Sequence, residues 1–418
     1  MREKAGLLVG MDICEDYVQL TYYDNELLSP ESVSRGEGEE QYLIPARLAY
    51  RKSKNDWIIG DELDKEESGD IVEVQDFIKY ACLYEEIRVC DKTYKAEQLM
   101  KIFLEALLNV LNSFYPFNEI EYLGITFPTV TKEMSYMMNA VLKELGFEKE
   151  KYILLTHDEA FLYYTINQKI ELWLNDTALF ELEEDGLHFR ILTISKKLEP
   201  ITAKISKKEK AEKLNKSLVR SNQEESANLF HTLSLIALEE SMVSTIYAVG
   251  RGFIDAWADG VLRKLSPGRR IFRGQNLYAK GACLAAKDKT SDEPTDIVLM
   301  EEDKTTVGFS IMAVKDGKNT EITLLKPALK WYEAETEIDL IIKDEDELGI
   351  QINDFITKKT SQRFISFSGI STAEAGLTRI RLSLKFTNRD TCIIKASDMG
   401  FGSFVPTTNR VWELIWEK

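Results

Sequence analysis

The chain has 418 residues, of which 44% are hydrophobic and 29% charged, a composition typical of a soluble globular protein with roughly two or three domains. Its net charge of −17 at pH 7 argues against nucleic acid and anionic membrane surfaces as partners. The five cysteines are dispersed and form no CxxC motif, so we expect a reducing compartment rather than a disulfide framework.

Hydropathy indicates neither a membrane span nor a secretion signal. No stretch approaches the roughly 18 apolar residues that a transmembrane helix needs. The first apolar run is too short for a signal peptide and is interrupted by Asp12. We therefore expect a cytoplasmic protein.

The first 170 residues alternate between predicted strands and helices. Residues 7–11 and the segment YVQLTYY predict two strands joined by a turn at 12–16, and further strands are predicted at 43–50 and 56–63. Apolar residues at helical spacing predict a helix over 96–114. EYLGITFP then reads as a buried strand, TKEMSYMMNAVLKELGF as a capped helix, and YILLTHDEAFLYYTIN as a strand leading into a helix.

The character of the chain changes near Pro294. Before it, TALFEL and LHFRILTI predict a hairpin that turns through EEDG at 183–186, followed by predicted helices in ANLFHTLSLIALEESMV, DAWADGVLRKL and YAKGACLAAK. After it, short strand-like runs such as TVGFSIMAV, TEIDLII and TRIRLSLKF succeed one another with turn signals between them. This pattern predicts an all-β domain of sandwich type.

The order of these segments resembles that of the DnaK-type heat-shock chaperones, of the actin-like ATPase superfamily. The run FSGISTAEAGLTRIRLSLKFTNRDTCIIKASDMGFG at 367–402 closely resembles the end of their peptide-binding β-sandwich. LLVGMDI resembles the first phosphate strand and turn, IYAVGRGFIDAWADGVLRKL the adenosine-side segment, and QNLYAKGACLAA the closing helix. The resemblance covers nearly the whole chain.

The resemblance implies three parts. Residues 1–290 are expected to form an actin/DnaK-like α/β nucleotide-binding-type domain with two lobes, ribonuclease H-like subdomains and a reduced clamp subdomain at about 195–245. Residues 291–302 are expected to form an apolar interdomain linker, carried by Ile297, Val298, Leu299 and Met300. Residues 303–418 are expected to form the β-sandwich, with no helical lid after VWELIWEK.

The same resemblance implies a nucleotide site with degenerate phosphate loops. Its residues would be Asp12, Gly186, Gly250, Arg251 and Gly252, with Asp12 as the catalytic candidate if the protein is an ATPase. The family places glycine and threonine after the aspartate, but this chain has Ile-Cys-Glu-Asp there and ELEEDG in the second loop. A carboxylate about 4 Å from a triphosphate is repelled by several kcal/mol at an effective ε of about 20. We therefore predict no cofactor, with ATP bridged by Mg²⁺ as the alternative.

Two further groups have competing interpretations. Ile311, Val314, Ile350 and Ile352 match the apolar lining of the family's peptide groove, but alternation alone would place the same residues in a sandwich core. His157 is followed by Asp158 and Glu159, which fits a helix N-terminus better than general acid–base catalysis. With three histidines and scattered cysteines, the sequence predicts no metal site.

These features predict a chaperone-like protein that binds a protein or peptide segment, with no nucleic acid and no membrane as partner. The leading hypothesis is a pseudo-ATPase scaffold. The alternative is an ATP- and Mg²⁺-dependent chaperone with unusual acidic phosphate loops.

Overall fold

The structure is a computed structural model that describes residues 6–34, 41–82, 86–114, 119–195, 197, 200–343, 347–367, 377–403 and 406–418. The chain divides into two compact units, the first comprising Met1–Ile194 and Ala203–Thr295, the second Ser195–Thr202 and Asp296–Lys418. The boundary at residue 296 falls within the segment 291–302 that the sequence predicts as a linker. Residues 368–376, part of the run at 367–402 that carries the family resemblance, lie outside the described residues.

The strands up to residue 273 have the following bounds: β1 Leu7–Ile13, β2 Tyr17–Asp24, β3 Ser29–Ser32, β4 Ile44–Pro45, β5 Leu48–Arg51, β6 Asp56–Ile59, β7 Ile71–Val74, β8 Glu86–Val89, β9 Lys92–Lys95, β10 Ile120–Phe127, β11 Tyr152–Thr156, β12 Asp176–Glu183, β13 Gly186–Ser195, β14 Ile201–Ala211, β15 Val243–Val249 and β16 Arg270–Arg273. The helices have the following bounds: α1 Phe77–Cys82, α2 Ala96–Phe114, α3 Lys132–Glu144, α4 His157–Ile166, α5 Lys216–Ser221, α6 Gln223–Leu238, α7 Asp259–Leu265 and α8 Leu277–Lys289. The predicted helix at 96–114 and the predicted hairpin turn at 183–186 are both confirmed.

One strand order occurs twice in the first unit. The first main sheet has the order β11-β10-β1-β2-β3, with β1 parallel to β10 and antiparallel to β2. The second has the order β16-β15-β12-β13-β14, with β12 parallel to β15 and antiparallel to β13. With the short strands β4 (Ile44–Pro45) and β17 (Ile297–Leu299) left aside, the five remaining strands of each sheet, numbered along the chain, both read 5-4-1-2-3. The first unit therefore contains a repeat of strand topology, although the sequence shows no tandem repeat.

Helices pack against these sheets through apolar faces that the spacing of apolar residues in the sequence predicts. On α2, Leu99, Phe103 and Leu107 recur at helical spacing and are buried in one core with the first sheet. Helix α3 begins at a cap in which Thr131 Oγ1 accepts from the Met134 backbone N–H, and Gly146 follows it with φ of 89°. A separate core joins the second sheet to α6 and α7.

Helix α8 connects the parts of the first unit by close backbone packing. A Cβ on Gly10 of β1 would lie 2.2 Å from the Ala279 oxygen, and a Cβ on Gly281 would lie 2.1 Å from the Ala160 oxygen of α4. Helix α4, which follows β11, also contacts the second sheet, since Phe161 packs edge-on against Tyr247 of β15. These contacts bring the end of β1, the start of α4 and strands β12 and β13 to one place.

The second unit is built from strands: β17 Ile297–Leu299, β18 Val307–Lys315, β19 Lys318–Leu325, β20 Glu335–Lys343, β21 Glu347–Asp354, β22 Lys359–Ser366, β23 Leu377–Asn388, β24 Thr391–Asp398 and β25 Val411–Glu417. Two four-stranded antiparallel sheets, in the orders β19-β18-β21-β22 and β20-β23-β24-β25, share one apolar core. Strand β17 lies beside the first residues of β14, where the Ile201 N–H donates to the Asp296 oxygen.

Within the described part of the chain, no helix combines the length and apolar character needed to cross a bilayer.

Candidate functional site

Asp12 lies near the end of β1 and is completely buried. Its neighbours in register are Thr126 on β10 and Gln19 on β2. Because β1 and β10 are parallel, the paired side chains of Asp12 and Thr126 project from the same face of the sheet. Thr126 is also fully buried, and its hydroxyl has no hydrogen-bond partner among the described residues. The aspartate that the sequence singles out therefore sits inside the protein.

His157, the first residue of α4, reaches this aspartate. Its Nε2 lies 2.8 Å from Asp12 Oδ1, and its ring stacks on Tyr278 with centroids 3.7 Å apart and an interplanar angle of 12°. The helix start is fixed by a capping box between Thr156 and Glu159. Glu159 thus has the helix-start role that the sequence predicts, whereas His157 makes a buried long-range contact.

Cys14 completes a cluster of three different donors. Its Sγ lies 3.8 and 3.9 Å from the two Asp12 carboxylate oxygens and 3.9 Å from His157 Nε2. One donor atom from each residue lies within 4.8 Å of the other two, and all three residues are buried. Nothing in the spacing of residues 12, 14 and 157 shows this cluster in the sequence.

The cluster is not arranged for nucleophilic catalysis. A Cys-His-Asp triad uses one imidazole nitrogen for the nucleophile and the other for the orienting carboxylate, but here Cys14 and Asp12 face the same nitrogen of His157. Burial, followed by the charge of Asp12, raises the pKa of the Cys14 thiol well above its usual value. The free thiol is therefore protonated and a poor nucleophile.

A network of buried charges adjoins the cluster. Arg190 Nη1 donates to Glu181 Oε2 at 2.8 Å, and Arg190 Nε lies 2.7 Å from Asp158 Oδ1. Lys208 Nζ donates to Asp158 Oδ2 at 2.6 Å, and the Tyr278 hydroxyl donates to Glu181 Oε2 at 2.8 Å. The network therefore joins β12, β13, β14, α4 and α8, and it shares Tyr278 with the His157 stack.

Glu181 is held in its charged form by this network. Burial, the largest single effect, would by itself raise the pKa of Glu181, but the charge of Arg190, the nearby His157 and the hydrogen bonds from Arg190 and Tyr278 together outweigh it and hold the pKa below its usual value. Because Glu181 is already paired with Arg190, its carboxylate is not available to bind another cation.

Arg251, which begins the 3₁₀ turn Arg251–Phe253 after β15, pairs with Glu183 of the second acidic loop. Its backbone N–H donates to Glu183 Oε1 at 3.1 Å and its Nε donates to Glu183 Oε2 at 2.7 Å. Its Nη2 lies 2.6 Å from Asp16 Oδ2, and the guanidinium lies 5.1 Å from the Tyr17 ring centroid. One arginine thus bridges the two loops that the resemblance assigns to phosphate.

The glycines of the implied nucleotide site pack against the chain itself. Gly250 has φ of 91°, and a Cβ there would lie 2.7 Å from the Leu182 oxygen and 3.0 Å from Glu183 Oε1. A Cβ on Gly252 would lie 2.4 Å from the Leu182 side chain, and Gly186 occupies the β12–β13 turn with φ of 140°. Close contacts within the protein therefore explain why glycine is needed at these three positions.

The space enclosed between these loops is small. Tyr17, Glu181, Glu183, Arg251 and Tyr278 line part of a cavity of about 20 Å³. That volume holds about one water molecule, whereas ligand pockets typically measure about 300–1,000 Å³. Phosphates placed between these loops would meet the Arg251 side chain and the carboxylates of Glu183 and Asp16 that it bridges.

The structure separates the residues that the sequence assigns to a linker and a groove. Within β17, Ile297 and Leu299 are buried and Val298 is half-buried; Met300, just after the strand, is half-buried. Ile311, Ile350 and Ile352 lie in the core between the two sheets of the second unit, and Val314 is exposed. Strand alternation turns these three isoleucines inward, as the core interpretation expects, and their assignment to a peptide groove stays a prediction.

Comparisons with known proteins agree with the division of the chain. The C-terminal part of a family of unknown function, DUF5716, matches residues 29–302. The chain belongs to this family. A domain of unknown function, DUF8552, matches residues 304–416. The DUF5716 match includes His157, Arg190 and Arg251 but begins after Asp12 of β1 and after Cys14 of the turn between β1 and β2. No curated protein matches the chain.

Proposed function

We propose that the chain is a divergent relative of the DnaK-type chaperones that has become a pseudo-ATPase and acts as a protein- or peptide-binding scaffold. An actin/DnaK-like two-lobed fold for residues 1–290 is part of this proposal. It is supported by the strand order that occurs in both main sheets and by the α4–α8 packing between them. The matched family has no known function, so the proposal rests on the residues of this chain.

The observation that carries the proposal is the bridge made by Arg251. The sequence predicts that carboxylates in the two loops would repel a triphosphate, and the structure places one cation between Glu183 and Asp16. Binding phosphates there would require Arg251 to leave a carboxylate that is largely buried, which would then be unpaired. The chain therefore supplies from Arg251 the positive charge that a bound Mg²⁺ would otherwise bring to these carboxylates.

A protein partner is favoured by apolar side chains exposed on the second unit. Met312 and Val314 on β18 are 52% and 70% exposed, and Phe364 on β22 is 50% exposed. Ile311 and Ile365 on the same strands are buried, so the exposed residues project from the outer face of that sheet. Strand β21 lies between β18 and β22, so these two strands are about 9–10 Å apart. An extended apolar segment could lie across this face.

Phosphate release from ATP with Mg²⁺ tests the loss of catalysis. We expect the wild type to release no more phosphate than the Asp12→Ala variant. Turnover in the wild type that Asp12→Ala abolishes would sink the proposal and favour the ATP-dependent chaperone. A nucleotide-dependent change in protease sensitivity at Ile297–Met300 would favour the same alternative.

Binding of fluorescent apolar peptides to the full chain tests the partner surface. We expect measurable binding that weakens in Val314→Ser and Phe364→Ser. Ile341→Ser is the matched control, because Ile341 is 63% exposed but lies on the other sheet. Equal affinity in all three variants, or no binding by the wild type, would contradict a peptide-binding role for this face.

A further inference from the structure

Three chemically different metal ligands converge inside the first unit: the Asp12 carboxylate, the Cys14 thiol and the His157 imidazole. We propose that these residues form a binding site for one transition-metal ion, most suitably Zn²⁺. Thiolate and imidazole ligands suit Zn²⁺, and they discriminate against Mg²⁺ and Ca²⁺, which prefer oxygen ligands. The site is independent of the proposed function, because neither nucleotide nor a protein partner takes part in it.

The separations of the donor atoms are close to those of a zinc site. With Zn–S of about 2.3 Å and Zn–N and Zn–O of about 2.0–2.1 Å, tetrahedral ligands lie about 3.3–3.6 Å apart. The observed separations are 3.8 Å from sulfur to the nearer carboxylate oxygen, 3.9 Å from sulfur to nitrogen and 2.8 Å from nitrogen to oxygen. The last is shorter because the two atoms share a hydrogen bond, which coordination would replace. Shifts of roughly half an ångström complete the geometry.

The surroundings hold the ligands in place. Asp12 belongs to the central strand β1, and the Cys14 N–H donates to the Tyr17 oxygen across the turn into β2. The His157 ring is fixed by its stack on Tyr278, whose hydroxyl is in turn held by Glu181. Side chains fixed in this way lose little freedom when they bind a metal.

Thr126 provides an independent indication of a further ligand at this place. Its hydroxyl is buried, lacks a partner among the described residues and projects from the same sheet face as Asp12. Buried hydroxyls without a partner are uncommon and call for an explanation. Three protein ligands leave one tetrahedral position for water, and the Thr126 hydroxyl can hydrogen-bond that water as an outer-shell group.

Because the three ligands are buried, the ion is expected to enter as the chain folds rather than afterwards. The test therefore unfolds the full chain in guanidinium chloride with a chelator and a thiol reductant, and refolds it with Co²⁺, a spectroscopic substitute for Zn²⁺. We expect one Co²⁺ per chain, a thiolate-to-cobalt charge-transfer band and displacement of the cobalt by Zn²⁺.

Variants assign the band to the site. Cys14→Ser is expected to abolish it, and Asp12→Asn and His157→Gln to weaken affinity by more than the roughly 10–100-fold expected for Thr126→Val. The matched control is Cys283→Ser, since Cys283 is also buried in the first unit but lies on α8. His231→Gln serves as the histidine control.

X-ray absorption spectroscopy of the refolded wild-type zinc protein identifies the metal ligands without the use of any variant. One sulfur ligand together with nitrogen and oxygen ligands is the expected first shell. Failure of the wild type to retain stoichiometric metal, a shell without sulfur, or a charge-transfer band that survives Cys14→Ser would overturn the proposal.

Discussion

Arg251 donates two hydrogen bonds to the carboxylate of Glu183, from its backbone nitrogen at 3.1 Å and from Nε at 2.7 Å. The same guanidinium reaches Asp16 in the turn after β1. The pairing places one positive charge between two loops whose carboxylates would repel phosphate. The proposed loss of nucleotide binding rests on this contact, and the substitution Arg251→Met removes its side-chain part.

Arg251→Met is expected to lower the free energy of unfolding of the first unit by about 1.5–3 kcal/mol, because the mostly buried Glu183 would lose the charge-assisted hydrogen bond from Nε and keep only the one from the backbone N–H. Urea titration measures the change. Arg381→Met is the control, since Arg381 pairs with Asp339 on an exposed surface and its loss should be smaller and reduced further by salt. Equal effects of the two substitutions would contradict a special role for Arg251.

Gly250→Ala is expected to destabilise the first unit by about 1–3 kcal/mol, because a side chain at φ of 91° is strained and would meet the Leu182 oxygen at 2.7 Å. Gly260→Ala in α7 is the matched control: nothing lies within 4 Å of its Cβ position, and alanine should stabilise the helix by about 0.5–1 kcal/mol. Thermal unfolding of both variants gives the comparison, and a neutral Gly250→Ala would show that the turn is looser than described.

Glu181→Gln is expected to change how stability depends on acid. The folded-state pKa of Glu181 lies below its usual value, so its stabilising contribution is complete above about pH 4.5 and is lost as pH falls through the folded-state pKa. The variant should be less stable than the wild type at pH 7, and the difference should shrink below about pH 4.5. Melting temperatures measured from pH 7 to pH 3 test this, and a constant difference across the range would be inconsistent with an ionised Glu181.

Ile311→Ala is expected to cost about 2–5 kcal/mol of stability in the second unit, because Ile311 is completely buried in its core. Val314→Ala, three residues along the same strand, should change stability by less than about 0.5 kcal/mol because Val314 is 70% exposed. Chemical unfolding distinguishes the two positions. A small effect at Ile311 would return it to the peptide groove that the sequence suggests.

Local elements were predictable where a periodic apolar pattern or a capping signal specifies them. The apolar face of α2 gives the helix bounds, and the Thr131 cap and Gly146 fix the ends of α3. The inward direction of Ile350 and Ile352 follows from alternation. Alternation does not tell a groove from a core, however, because both require apolar residues on the same face of a strand.

The candidate site was much less predictable because its contacts are long-range. Asp12 and His157 are 145 residues apart, and the parallel register of β1, β10 and β11 brings the start of α4 beside Asp12. Arg251 looked like a ligand contact in the sequence, since a cation between two glycines could equally serve a phosphate. Its pairing with Glu183 depends on the parallel register of β12 and β15, which no local pattern specifies.

Titration of the full chain with ATP and ADP, with and without Mg²⁺, tests the central claim that the cleft is closed to nucleotide. A ligand present at 100 times its dissociation constant stabilises the folded state by about 2.7 kcal/mol, which a melting curve detects readily. We predict no shift at millimolar nucleotide and no binding heat by calorimetry. A saturable, Mg²⁺-dependent shift would contradict the account and make the ATP-dependent chaperone the working hypothesis.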